Sequence, residues 1–358
     1  MSEELKLMRG TYAIGEAAIR AGCRYYFGYP ITPQNELPEY MSRRLPEVGG
    51  TFLQSESELA AINMVLGASM AGARVMTSSS SPGISLMQEG LSFMAGQELS
   101  AVVVNMIRGG PGLGNIAPSQ SDYFQATRGG GHGDYRQIVL APYSVQEAVD
   151  LTYKAFDLAD RYRMVVMILG DGMVAQMMEP VRFPPMRSLD DLPPKDWTIT
   201  GAKDRPSRIL RSLILDVNAM EEHNWKLARK YQQVERECPL WEEFMLEDAE
   251  MVVVAFGTAA RVAKGAVKRA HKEGVKVGLF RPITLWPFPS QELKALYQRG
   301  QDTFVVFELN AGQMVEDVKI TLGSGPQIIS YARPGGVVPN PQELTRVFSR
   351  LALSRGTS

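Results

Sequence analysis

Short apolar runs bounded by turn residues recur along the first half of the chain: YYFGY, GTFLQ, RVMTS, AVVVNMI and MVVMIL. Segments with helical spacing, beginning with YAIGEAAIRAG, separate most of them. This alternation over residues 11–170 predicts βαβ units and a parallel sheet covered on both faces. A second series opens at MVVVAFG (251–257) and continues through KVGLF, TFVVFEL and QIISYA, with helical stretches at 259–273, 290–299 and 313–322. It predicts a second, smaller α/β domain. Residues 181–247 read differently, because RFPPMRSLDDLPPKDW carries Pro-Pro pairs and AMEEHNWKLARKYQQVERE is charged with helical spacing. An extended connection and an exposed helix are expected there. The resulting division is a first domain over 1–180, a connecting segment over 181–247 and a second domain over 248–358.

Composition narrows the class of partner. The 358 residues, 45% hydrophobic, are enough for two cores. Lys plus Arg (38) and Asp plus Glu (39) nearly cancel, and no basic block interleaves with aromatics, so a small molecule rather than nucleic acid is expected. The opening MSEELKLMRG lacks a cationic start followed by an apolar run, and nothing approaches the ~18 apolar residues of a membrane span. A cytoplasmic protein without membrane contact is expected. Cys23 and Cys238 stand far apart with no CxxC or His partner, which excludes a disulfide framework and a zinc or iron–sulfur site built by this chain.

Candidate chemistry starts at QSESELAAINMVLGASMAGARVMTSSSSPG (54–83), where Glu56 and Glu58 open a stretch of small and aliphatic residues. Ser55-x-x-Glu58 matches a capping box, a purely structural use of the acid. Leu59, Ile62, Leu66 and Met70 form an apolar stripe and alanines and glycines fill much of the rest, so this helix is expected to be buried, against its own core or another chain. Deep burial pushes a carboxyl toward its neutral form more strongly than a helix dipole, worth roughly 0.3–1 kcal/mol, favours its charge. Such a group is general acid/base equipment. Thr32, in YPITP, follows an apolar strand, where ligand crevices open in parallel sheets. Arg108 ends AVVVNMI and is the only charge between Glu98 and Asp122. Its guanidinium suits bidentate capture of a carboxylate. The structural alternatives are a hydroxyl cap for Thr32 and a buried ion pair for Arg108.

YFGYPITPQNE (26–36), ESELAAINMVLGASMAGARVMTSSSSPGISLMQEG (56–90), RGGPGLGNIAPSQSDYFQ (108–125) and GGGHGDY (129–135) together resemble the alpha-type subunit of 2-oxoacid:ferredoxin oxidoreductases, in the pattern of the 2-ketoisovalerate (3-methyl-2-oxobutanoate) subfamily. VKVGLFRPITLWPFP (275–289) and VVFELNAGQM (305–314) resemble that family's transketolase-C-like domain. The resemblance implies a parallel-sheet, pyrimidine-type thiamine-diphosphate-binding domain followed by a transketolase-C-terminal-like α/β domain. It implies oxidative decarboxylation of a branched-chain 2-oxoacid to an acyl-coenzyme A with reduction of ferredoxin. The same mechanism on 2-oxoglutarate or pyruvate, a transketolase-like transferase and a non-catalytic scaffold are the alternatives.

By the same resemblance, Glu58, nine residues before Gly67, bonds the pyrimidine N1′ and promotes the imino tautomer. Tyr29 and Pro30 join it in cofactor binding, and Thr32 and Arg108 hold the substrate carboxylate. GDG at 170–172 begins like a Mg²⁺–diphosphate motif but lacks the Asn-Asn pair that completes it. Thiamine diphosphate and Mg²⁺ are therefore expected to be shared with a beta-type partner, 4Fe–4S clusters to sit only on partner subunits, and coenzyme A to be a co-substrate. Gamma and ferredoxin-like delta subunits and ferredoxin complete the implied partners. GGPGLG (109–114) lacks dinucleotide-loop spacing, and His132 is expected to order its own loop.

Overall fold

A computed structural model describes residues 5–355; of the opening segment used to infer the compartment, residues 1–4 lie outside the described residues. The chain begins with β1 (Lys6–Arg9), α1 (Gly10–Arg20), β2 (Tyr25–Gly28), α2 (Glu36–Glu47), β3 (Thr51–Gln54), α3 (Glu58–Met70), β4 (Val75–Ser79), α4 (Ser81–Gly96) and β5 (Ala101–Ile107). It continues with α5 (Tyr123–Arg128), β6 (Ile138–Leu140), α6 (Val145–Tyr162), β7 (Val165–Asp171), α7 (Gly172–Gln176), β8 (Met178–Val181), α8 (Val217–Glu237) and β9 (Trp241–Phe244). The last part holds β10 (Met251–Val254), α9 (Gly257–Lys272), β11 (Val277–Pro282), β12 (Thr284–Trp286), α10 (Ser290–Gln298), β13 (Thr303–Glu308), α11 (Met314–Leu322), β14 (Gln327–Ala332) and α12 (Pro341–Arg355). Among the described residues, no helix is long and apolar enough to cross a membrane.

The first sheet has the order β12-β6-β7-β5-β4-β2-β3, parallel except for β12. Its central strands β4, β5 and β7 are buried along their whole length, as strands covered by helices on both faces must be. The chain steps outward from β2 to β3 but to the other side for β4 and β5, so the carboxyl ends of β2 and β4 flank a topological switch point, the usual ligand crevice of such sheets. The second sheet, β14-β13-β10-β11-β9, is parallel except for β9.

Two short strands depart from the expected layout. WEEF forms β9, an edge of the second sheet, and TLW forms β12, which leaves that domain to pair with β6 of the first. Neither carries an apolar run; pairing at a sheet edge decides their state. The connecting segment is also tied down. Arg187 pairs with Asp157, and Lys195 lies 2.7 Å from Asp160. Helix α8 is not wholly exposed, because Leu227, Tyr231 and Val234 are buried. The same helix brings Lys226 and Lys230 to Glu98.

Burial by itself would raise the Glu98 carboxyl, but the charge of Lys230 and the hydrogen bonds of both lysines outweigh it and lower it from 4.5 to about 2. A depressed carboxyl adds stability that is complete above the unfolded value and disappears as pH falls toward the folded one. The urea midpoint of the wild-type chain should therefore fall between pH 4.5 and about 2 more steeply than that of Glu98→Gln, followed by tryptophan fluorescence at each pH.

Candidate active site

Glu58 is the first residue of α3 and only 6% exposed. The helix is capped by Ser57, whose hydroxyl accepts from the Ala60 amide at 3.1 Å, while Ser55 Oγ donates to Ser57 O at 2.9 Å. The capping box expected from Ser55 and Glu58 is thus absent. With the cap two residues later, Glu58 sits in the first turn with its carboxyl turned to the end of β4, where Ser79 Oγ donates to it at 3.4 Å. A methyl group at Gly83 would lie 2.5 Å from Glu58 Oε1 and 2.0 Å from Ser79 Oγ, so only glycine leaves the space beside the carboxyl open. Glu56 faces solvent.

The core-facing side of α3 also differs from the expected stripe. Ala61, Ile62, Val65 and Ser69 are buried, whereas Leu59 (46% exposed) and Met64 (36%) point outward. A helix that is small or apolar all round has no periodicity to choose its face; burial of Glu58 against Ser79 fixes the rotation.

Arg108 follows β5 and is 9% exposed. Its Nη1 donates to Thr32 O at 3.1 Å, its Nε is buried without a hydrogen-bond partner, and among the described residues it has no ion pair. The guanidinium and the loop after β2 therefore meet across the switch point. Thr32 is half-buried and its hydroxyl accepts from Asn35 Nδ2 at 3.4 Å; α2, which follows, has no side-chain cap. Beneath this loop Gln34, fully buried, accepts from Ser78 Oγ at 2.5 Å, and Ser78 Oγ lies 2.6 Å from the Tyr26 hydroxyl. Tyr29 and Pro30 stand exposed on the rim.

Behind Arg108 the chain folds into a tight loop. The Gly109 amide donates to Ala117 O and the Asn115 amide to Gly109 O. Gly114 adopts φ +57, where a Cβ would come within 1.6 Å of Gly109 O. Ser81, Asn105 and Asp122 are hydrogen-bonded together at the same strand ends, and burial pushes the Asp122 carboxyl up. TSSSSPG, which contains Ser79, Ser81 and Gly83, reads from sequence only as a stretch that shapes the backbone, and Asn105 and Asp122 carry no sequence signal of a role here. The serine run was the available signal, but short polar residues have too many structural uses to be assigned without their neighbours.

Asp171 of the GDG tripeptide caps α7, accepting from Met173 N at 2.9 Å and Val174 N at 3.2 Å, and also accepts from Thr258 Oγ1 at 2.9 Å. Burial pushes its carboxyl up. Among the described residues no group of His, Cys, Asp or Glu could hold a metal ion. His132 is exposed, and its loop is held instead by Gly130 N donating to Gln88 Oε1.

Residues 16–245 match the family described as pyruvate flavodoxin/ferredoxin oxidoreductase, thiamine diphosphate-binding, and residues 249–344 match the pyruvate:ferredoxin oxidoreductase core domain II. The chain belongs to this family. It is an alpha-type subunit of a 2-oxoacid:ferredoxin oxidoreductase. It is 52% identical to the ketoisovalerate oxidoreductase subunit VorB of Methanothermobacter marburgensis, over 97% of this chain and 98% of that one. The 2-oxoglutarate:ferredoxin oxidoreductase of Magnetococcus marinus, solved with 2-oxoglutarate, coenzyme A and succinyl-CoA bound, superposes with a TM-score of 0.85 at 29% identity. That match covers 97% of this chain and 65% of the other. A split-gene transketolase shares the fold, with a TM-score of 0.58 at 12% identity over 96% and 97% of the two chains.

The residues present fit one end of thiamine diphosphate. The carboxyl of Glu58 with open space at Gly83 suits the aminopyrimidine, whereas Asp171, the one acid of the GDG tripeptide, has its Oδ1 taken by the α7 cap and Thr258.

Because the cap is Ser57 and not Ser55, Ser57→Ala should lower the unfolding free energy by about 0.5–2 kcal/mol, as read from urea denaturation. Ser55→Ala, which removes no bond to a helix amide, should cost less in the same measurement.

Proposed function

We propose that this subunit takes part in the oxidative decarboxylation of a branched-chain 2-oxoacid, with coenzyme A as acyl acceptor and ferredoxin as electron acceptor, in the cytoplasm. The observation that carries the chemistry is the buried Glu58 carboxyl facing the space that Gly83 leaves open. The branched-chain preference is supported by the 52% identity to a ketoisovalerate oxidoreductase subunit, against 38% to the 2-oxoglutarate synthase subunit KorA of Archaeoglobus fulgidus.

Bound thiamine diphosphate supplies an electron sink for the loss of carbon dioxide. Glu58 holds and moves the proton at N1′ of its pyrimidine, with Tyr29 and Pro30 on the rim of the same half-site. Arg108, whose Nη1 reaches the carbonyl of Thr32 and whose Nε has no partner, receives the substrate carboxylate, and the Thr32 hydroxyl helps to hold it. The diphosphate and Mg²⁺ are held by a beta-type partner. Its docking surface is the outward face of α3, with the exposed Leu53 (41%) and Leu86 (54%). Cys23 and Cys238 are buried and separate, so 4Fe–4S clusters belong to other chains, including a ferredoxin-like delta subunit beside a gamma subunit. The first domain performs this chemistry, and the second fixes the loop that follows Arg108.

In the complex reconstituted with its beta-type partner, Glu58→Gln should slow C2–H exchange of bound thiamine diphosphate by about 100-fold or more, since an amide cannot manage the N1′ proton. Exposed Glu56→Gln should exchange at nearly the native rate. Native exchange in Glu58→Gln sinks the assignment.

One methylene in an apolar pocket is worth about 10–200-fold in kcat/KM. Steady-state kinetics should therefore rank 3-methyl-2-oxobutanoate and 4-methyl-2-oxopentanoate first and pyruvate below them. 2-Oxoglutarate should be poorest, because its second carboxylate would be buried unpaired. A clear preference for 2-oxoglutarate would overturn the substrate class and leave the role of Glu58 untouched.

A further inference from the structure

Among the described residues the Arg108 side chain has one tether, the carbonyl of Thr32, so its reach depends on how its own backbone is held. That backbone amide donates to Ser81 Oγ at 3.1 Å. The Ser81 hydroxyl donates in turn to Asp122 Oδ2 at 2.7 Å, and Asn105 Nδ2 donates to the same oxygen at 2.9 Å. Asn105 Oδ1 accepts from the Ser81 amide at 3.1 Å, which closes a cycle. The cycle ties the first residue of α4, the end of β5 and the residue that opens α5.

Asp122 has no cationic partner among the described residues, only these two donors. Asp122 is half-buried, and a carboxylate drawn that far from water without a cation is costly; nothing in the packing of α5 requires it, since the Asp122 side chain makes no cap bond to that helix. The next residues carry the cycle into the second domain. Tyr123 donates to Asp317 at 2.6 Å, and the Phe124 amide donates to Gln313 Oε1 at 2.8 Å. Glu58 lies outside the cycle, its contacts being Ser79 and Gly83.

We propose that Asp122 is a positioning residue for the 2-oxoacid carboxylate: through Ser81 and Asn105 it fixes the backbone from which Arg108 reaches, an inference that rests on the carboxylate role given to Arg108 above. Without Asp122, the Ser81 hydroxyl keeps one other acceptor within reach, Arg108 O at 3.5 Å. The acceptor of the Arg108 amide is then no longer held in place.

The test is made on the assembled oxidoreductase, with KM for 3-methyl-2-oxobutanoate and C2–H exchange of bound thiamine diphosphate as separate readouts. Asp122→Ala should raise KM by about 10- to 100-fold, the range expected for a displacement of about an ångström, and leave exchange near native. Asp122→Asn should stay within about threefold of the native KM, because one amide oxygen can accept both bonds. In Arg108→Ala, already raised in KM, adding Asp122→Ala should cost nothing further. Ser81→Ala, which breaks the cycle at its other corner, should repeat the rise in KM and serves if Asp122→Ala does not assemble. A native KM in Asp122→Ala beside a raised one in Arg108→Ala overturns the positioning role alone. So does a loss of exchange in step with KM, or effects that multiply in the double variant. A native KM in Arg108→Ala overturns the carboxylate role itself, and the proposal with it.

Discussion

The two sheets are held in one arrangement by the hydrogen bonds of Gln120, a residue 1% exposed. Its amide donates to Leu309 O at 2.9 Å, its Oε1 accepts from Leu309 N at 3.0 Å, and its Nε2 donates to Phe256 O at 2.7 Å. Asn310 Nδ2 completes the set by donating to Gln120 O at 3.0 Å. Leu309 follows β13 and Phe256 follows β10, so the carbonyls and amides that emerge from the second sheet find partners in a loop of the first. Each such group left unpaired in the interior costs about 1–3 kcal/mol. The arrangement is therefore specified by polar satisfaction as well as by the apolar core that runs across both domains. It also explains the use of the second domain: it fixes the far end of the loop that begins at Arg108.

Comparison of three buried arginines separates structure from chemistry. Arg281, 3% exposed, bonds both carboxylate oxygens of Glu147 and one of Glu242, and it stacks on Tyr143. Arg74, 5% exposed, bonds Asp157, Asp160 and the carbonyl of Ala21. In both, every guanidinium nitrogen has an acceptor and the charge is paired, as a permanently buried guanidinium requires. Arg108 is buried almost as deeply but, among the described residues, meets one neutral acceptor. A buried cation without an anion is unfavourable in isolation, and that deficit is what the proposed carboxylate would remove. The same reasoning applies in reverse to Asp171, whose Oδ1 already accepts from two amides of a helix cap and from a threonine of the second domain.

The sequence by itself determined the alternation of apolar runs and helical spacing, and with it the parallel sheets, because central strands such as AVVVNMI and VVMILGD have no polar face to misread. It also placed Thr32 and Arg108 after strands and Glu58 at the entry of a helix. Tertiary structure alone decided the rest. Ser55 and Ser57 are equally good caps as letters, and only the end of β4 selects Ser57 and turns Glu58 inward. Leu59 and Ile62 are equally apolar, and only the rotation of α3 exposes one and buries the other. WEEF and TLW become strands because an open sheet edge lies beside them, and the Ser81, Asn105 and Asp122 cycle joins residues whose pairing has no local signature. Periodicity reports what a segment does with its own backbone; a cap, an edge or a hydrogen-bonded cycle is chosen by groups distant in the chain, which meet only once it has folded.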